Sequence, residues 1–81
     1  MNVHVSFYSY FKDLAGTARL TEIVPDGITI GDLYQRLIAR FPKLAGTQKS
    51  TLIAVGVDYQ DRDHVLKEGD EVSLFPSVQG G

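Results

Sequence analysis

The residues best suited to a chemical task stand at the C-terminus, where Ser77, Val78 and Gln79 lead into Gly80 and Gly81. Two glycines lack Cβ atoms, so their backbone can thread a narrow channel and adopt torsions closed to other residues. With no secondary-structure signal after Pro76, the five residues 77–81 form a tail expected to be mobile, reaching about 17 Å when extended. That is enough to leave a domain and enter a pocket on another protein. The group such a tail presents is the Gly81 carboxylate. A carboxylate is inert until activated; as an adenylate it becomes an acyl donor, and attack by a sulfur nucleophile leaves a thiocarboxylate. Activation must come from another enzyme, because the chain has no phosphate-cradling glycine loop. Taken alone the glycine pair is a short motif, and an incidental pair is the competing reading.

No other grouping matches a known chemistry. His4 and His64 lie far apart in sequence with no ligands at metal-site spacing, so ordinary surface histidines are expected and no metal site is predicted. Asp58, Asp61, Asp63 and His64 cluster, but the glycine and closing glutamate of a calcium loop are missing, and a solvated turn explains them. Ser6, Ser9, Ser50, Ser73 and Ser77 lack a nucleophile-elbow context, and Glu68 and Asp70 sit in a turn signal. With no cysteine, disulfides, thiolate metal sites and a cysteine nucleophile are excluded. A self-contained active site is therefore not expected.

Composition points the same way. The chain has 81 residues, 43% hydrophobic and 22% charged, enough for one domain with one modest core. No apolar run approaches the roughly 20 residues of a membrane span, and the opening residues lack the pattern of a signal peptide, so a cytoplasmic protein away from membranes is expected. The formal charge of −2 and the singly scattered Lys and Arg argue against nucleic-acid binding.

The elements that must position the tail follow from periodicity. Val3 to Tyr10 alternates as a strand with one buried face, Phe11 to Gly16 suits a short helical turn, and Ala18 to Val24 is β-rich with imperfect alternation at Glu22. Pro25-Asp26-Gly27 is a turn. Ile30, Leu33, Leu37 and Phe41 make one helical stripe, widened by Tyr34 and Ile38, with Thr29 as cap and Pro42 as stop. Thr51 to Val57 reads as a largely buried strand, Asp58 to His64 as polar turn, Lys67 to Asp70 as a tight turn and Glu71 to Phe75 as the last strand, with Pro76 ending ladder pairing. One helix covers only one sheet face, so the other is left to water or a partner. Tyr8, Tyr10 and Phe75 fall on that outward side, either as a binding patch or as isolated exposed aromatics.

Two segments carry a resemblance: T-I-G-D-L-Y-Q-R-L-I-A-R-F-P at Thr29 to Pro42, and L-K-E-G-D-E-V-S-L-F-P-S-V-Q-G-G at Leu66 to Gly81. Nearly the whole chain resembles the small, sulfur-carrying subunit family of molybdopterin synthase. G-D-E-V, then F-P, then terminal G-G is far more specific than the glycines alone. The resemblance implies an α+β, ubiquitin-like β-grasp fold, a mixed sheet covered on one face by one main helix. Residues 1–76 would form the domain and 77–81 the tail. It further implies that an activating enzyme adenylates Gly81 with ATP, that a sulfur donor enzyme supplies the thiocarboxylate sulfur, and that the large catalytic subunit receives the tail. Sulfur would pass to cyclic pyranopterin monophosphate in two transfers that make the dithiolene. Carried over by position, Gly81 bears the sulfur, Gly80 gives slimness, and Phe75, Pro76 and Val78 pack against partners; the chain itself binds no cofactor and is not catalytic alone. The family commonly has a second proline at the position of Ser77 and an asparagine at that of Gly56. A sulfur carrier for thiazole synthesis shares the glycines but usually differs before them, and Phe75-Pro76 favours the molybdopterin branch. A ubiquitin-like modifier that joins Gly81 to lysines, and a plain interaction domain with incidental glycines, complete the alternatives.

Overall fold

The computed structural model describes residues 1–77, and its elements follow the order the periodicity predicts, with one strand added. Strand β1 spans Asn2–Phe7, helix α1 Phe11–Ala15, β2 Arg19–Ile23, α2 Ile30–Arg40, β3 Thr51–Val55, β4 Asp58–Tyr59 and β5 Glu71–Pro76. Short 3₁₀ turns at Pro42–Leu44 and Gln48–Ser50 join α2 to β3. The sheet order is β2-β1-β5-β3-β4. Only β1 and β5 run parallel; the other neighbours are antiparallel. A mixed five-stranded sheet with one main helix on one face is the β-grasp arrangement.

Helix α2 is set by both sequence and context. Its N-terminal amides are all satisfied: Thr29 Oγ1 accepts from the Asp32 N–H at 3.2 Å, Ile30 and Gly31 donate to the carbonyls of His64 and Arg62, and Leu33 donates to the Thr29 carbonyl. Gly31 suits this close approach, because a Cβ there would stand 3.4 Å from the Arg62 carbonyl oxygen. The predicted stripe is the buried one: Ile30, Leu33, Tyr34 and Leu37 pack on Val3, Val5, Phe7, Ile53, Val72 and Leu74 from the sheet. A core of this kind, burying more than a dozen apolar side chains, is what holds so short a chain.

The imperfect alternation at Glu22 has a structural cause. Leu20 and Glu22 face the helix side of edge strand β2, and Glu22 is only 8% exposed because Arg40 from the last turn of α2 donates to its Oε1. An inward-pointing charge also discourages further pairing at a sheet edge.

Three expectations shift. Strand β1 stops at Phe7 rather than Tyr10, because Ser9 takes a left-handed φ of 55° and turns the chain into α1. Asp58 and Tyr59 are not simple turn but a short strand, paired through Val55↔Asp58 and Ala54↔Tyr59 across the two-residue loop Gly56-Val57. Val57, expected in a largely buried strand, is 96% exposed at that loop. Gly56 carries a φ of 63° there, a conformation open to glycine and asparagine. The third shift concerns Pro76, which is the last residue of β5 and sits opposite Thr51. Ser77 donates to the Ser50 carbonyl at 2.7 Å, so by antiparallel alternation the Thr51–Pro76 pair is a non-hydrogen-bonded one and needs no N–H from proline.

Candidate functional site

Strand β5 lies at the centre of the sheet, between β1 and β3, and its C-terminal end is where the chain departs toward the tail. Central placement gives it ladder partners on both sides. Tyr8 donates to the Leu74 carbonyl at 3.1 Å on one side, and Ser77 donates to the Ser50 carbonyl at 2.7 Å on the other. Ser77 thus makes a bond that a proline at this position could not. Val78, Gly80 and Gly81 of the predicted site lie outside the described residues.

On the outward face the pairing register assembles an aromatic patch. Leu52 stands opposite Phe75, and Ala54 opposite Tyr59. Tyr8 stacks on Phe75 with ring centroids 4.7 Å apart and planes 11° apart, and Tyr59 meets the same ring edge-on at 6.4 Å. Phe75 is half-buried beneath these neighbours while Tyr8, Leu52 and Tyr59 keep 45%, 40% and 68% of their surface. Pro76 follows directly, half-buried at the strand end. Phe75 and Pro76 are therefore fixed where the tail begins, within an apolar surface larger than either residue. An open groove adjoins the patch, lined by Ser6, Tyr8, Lys12, Arg19, Val57 and Glu71 among others.

Sequence reasoning placed Tyr8 and Phe75 on this face but also Tyr10, which the left-handed turn at Ser9 diverts to pack on Phe11 at 4.9 Å. It missed Tyr59 and Leu52. Tyr59 sat in a stretch read as polar turn, where the signal was Gly56 between apolar residues, a hairpin mark. Leu52 showed no such signal, since only the register against Phe75 reveals its direction.

The remaining candidates are ordinary surface groups. A ring nitrogen of His4 lies 3.0 Å from Thr21 Oγ1, and His64 caps a turn through its backbone, donating to the Asp61 carbonyl. Among the described residues no three His, Asp or Glu side chains gather as metal ligands, and no helix is long and apolar enough to cross a membrane.

A mixed sheet gripped by one main helix, with an aromatic patch at the end of its central last strand and a glycine pair closing the sequence, defines a ubiquitin-like protein of the β-grasp class. Within that class the chain belongs to the ThiS family, whose model matches residues 5–81. The molybdopterin synthase sulfur carrier subunit of Drosophila erecta is 39% identical over all of this chain and 92% of its own length. Among solved structures, a putative molybdopterin converting factor subunit 1 from Pyrococcus furiosus superposes with a TM-score of 0.89 at 29% identity, over 96% of this chain and 99% of its own. A protein–protein complex of subunits 1 and 2 of the molybdopterin-converting factor from Helicobacter pylori contains a chain of the same fold, with a TM-score of 0.70 at 23% identity over 100% of both chains.

Proposed function

We propose that this protein is the sulfur-carrying small subunit of a molybdopterin synthase, working through the carboxylate of Gly81. The observation that carries the reading is that the family match extends over residues 5–81 and so takes in Gly80 and Gly81, which supports a role for the terminal pair. The names of full-length relatives favour the molybdopterin branch over thiazole synthesis, as Phe75-Pro76 does. The chemistry asks little of this chain. A carboxylate oxygen of Gly81 attacks the α-phosphorus of ATP on an activating enzyme and pyrophosphate leaves. Hydrosulfide supplied by a donor enzyme then attacks the acyl carbon, AMP leaves, the thioacid loses its proton, and a thiocarboxylate remains. The sulfur is spent in the large catalytic subunit, where Gly80 and Gly81 enter the active site and Val78, Pro76 and Phe75 pack against the partner. Residues 1–76 act as the folded handle and 77–81 as the arm, which reaches out from its anchored first residue, Ser77, in the cytoplasm.

The aromatic patch supports this division of labour. Partner recognition at an interface rests on a few aromatic anchors in a desolvated centre, and Phe75 is already half-packed between Tyr8 and Tyr59, so little side-chain freedom is lost on docking.

Intact-mass measurement of the protein co-expressed with its activating enzyme and a sulfur source tests the reading. The expected result is replacement of one oxygen by sulfur, mapped to Gly81 and retained on thiol treatment. A C-terminus that stays a plain carboxylate under those conditions sinks it, and Gly-Gly remnants on lysines of other proteins would support the modifier alternative instead.

A further inference from the structure

The last described amide, that of Ser77, is held by the Ser50 carbonyl at 2.7 Å, and Ser50 closes the 3₁₀ turn Gln48–Ser50. That turn is internally tied. The Thr47 carbonyl accepts from the Ser50 N–H at 3.0 Å, the Ser50 hydroxyl at 3.1 Å and the Thr51 hydroxyl at 2.6 Å, while the Thr47 hydroxyl donates to the Leu44 carbonyl at 2.6 Å. The turn is tied to the helix by Tyr34, whose side chain is in the core and whose hydroxyl lies 2.5 Å from Thr47 Oγ1 and 2.8 Å from Thr51 Oγ1. Arg62 makes a second, outer tie, donating to the Gln48 carbonyl with its guanidinium 5.3 Å from the centre of the Tyr34 ring.

Proton counting shows what the tyrosine adds. Tyr34, Thr47 and Thr51 have one hydroxyl proton each, and both threonine protons have backbone carbonyls to go to. Removing the tyrosine hydroxyl therefore leaves no buried donor stranded and leaves the turn's own bonds intact. What is lost is the link between the turn and α2, so the turn can shift as a unit and carry the Ser50 carbonyl, and with it Ser77, away from a fixed place.

We propose that Tyr34, acting through Thr47 and Thr51, is a positioning residue for the C-terminal arm: it sets the point and direction in which the chain leaves the sheet beyond Ser77. The proposal rests on the functional reading above, in which the arm must enter partner active sites. A fixed exit lowers the ordering cost of entry, so its loss raises the carrier concentration needed for loading rather than slowing the chemistry on a bound arm.

The test uses the complete chain with its ATP-dependent activating enzyme and a sulfide source. Tyr34→Phe and Thr51→Val are compared with the unaltered chain by amide hydrogen exchange and by steady-state loading. Exchange at Ser77 is expected to accelerate about fivefold or more, beyond any change at Val5 and Leu37 in the core, and KM for the carrier to rise about fivefold with kcat altered less than about twofold. Thr51→Ser, which keeps the hydroxyl, should restore both. A uniform acceleration across the core without a KM change marks a purely structural role and overturns the proposal, as does a change in only one of the two readouts. Failure of the unaltered chain to load counts against the functional reading instead; the tether is then decided by exchange alone, selective acceleration at Ser77 upholding it and unchanged exchange overturning it.

Discussion

Tyr8 and Phe75 stack face to face on the open side of the sheet, centroids 4.7 Å and planes 11° apart, joining the end of β1 to the end of β5. The contact links two strands that run parallel and lie far apart in sequence, at the point where the chain turns toward its C-terminus. Phe75→Ala is expected to weaken binding to the large synthase subunit by about 2 kcal/mol, roughly thirtyfold in Kd, measured by titration calorimetry. The same change should lower folding stability by about 1–2 kcal/mol, since the ring is half-buried between Tyr8 and Tyr59. Tyr59→Ala, at a site 68% exposed, should weaken binding while costing stability less than about 1 kcal/mol.

Changing the terminus should separate function from fold. Deleting Gly81, or adding one residue after it, is expected to abolish sulfur loading by intact mass and to leave the thermal midpoint within about 1 °C, since the core ends at β5. A large drop in midpoint would show the terminus to be structural.

Leu37 is fully buried where α2 meets the sheet, and Leu37→Ala should cost about 3 kcal/mol by urea unfolding. In a domain this small such a loss is a large share of the total stability, so part of the population should be unfolded at 37 °C.

The Glu22–Arg40 pair joins β2 to the end of α2 with one partner buried and the other half-exposed. Arg40→Ala leaves the carboxylate without its donor and should destabilise by about 1–2 kcal/mol, whereas Glu22→Leu with Arg40→Ala should recover much of that loss in a double-mutant cycle. Addition of salt should narrow the gap between the unaltered chain and Arg40→Ala.

At Gly56 the φ of 63° is left-handed, and a Cβ added there would meet open space, so the outcome of a substitution depends on backbone preference alone. Gly56→Asn is expected to change stability by less than about 0.5 kcal/mol, and Gly56→Val to lower it by about 1–2 kcal/mol, read from urea midpoints.

Much of the fold was legible in the sequence because local rules and burial agree there. The stripe from Ile30 to Leu37, the Thr29 cap, the Gly27 and Gly69 turns and the inward Val72 and Leu74 all stand as periodicity placed them. The errors have separate causes: a left-handed Ser9 has no sequence mark, the two-residue strand Asp58–Tyr59 is too short to show a period even though Gly56 marks its hairpin, and the proline rule at Pro76 depends on which pairs of the ladder are hydrogen-bonded.

What the sequence determined by itself is the element order apart from β4, the core stripe and the terminal glycine pair with its family pattern, since each depends on residue type at short spacing. Only the tertiary structure decided which aromatics share a face and what holds the exit of the arm. Phe75 meets Tyr8 and Tyr59, and Ser77 meets Ser50, through strand register and loop closure between residues distant in the chain. Such contacts follow from how the whole sheet pairs, and no window of sequence contains them.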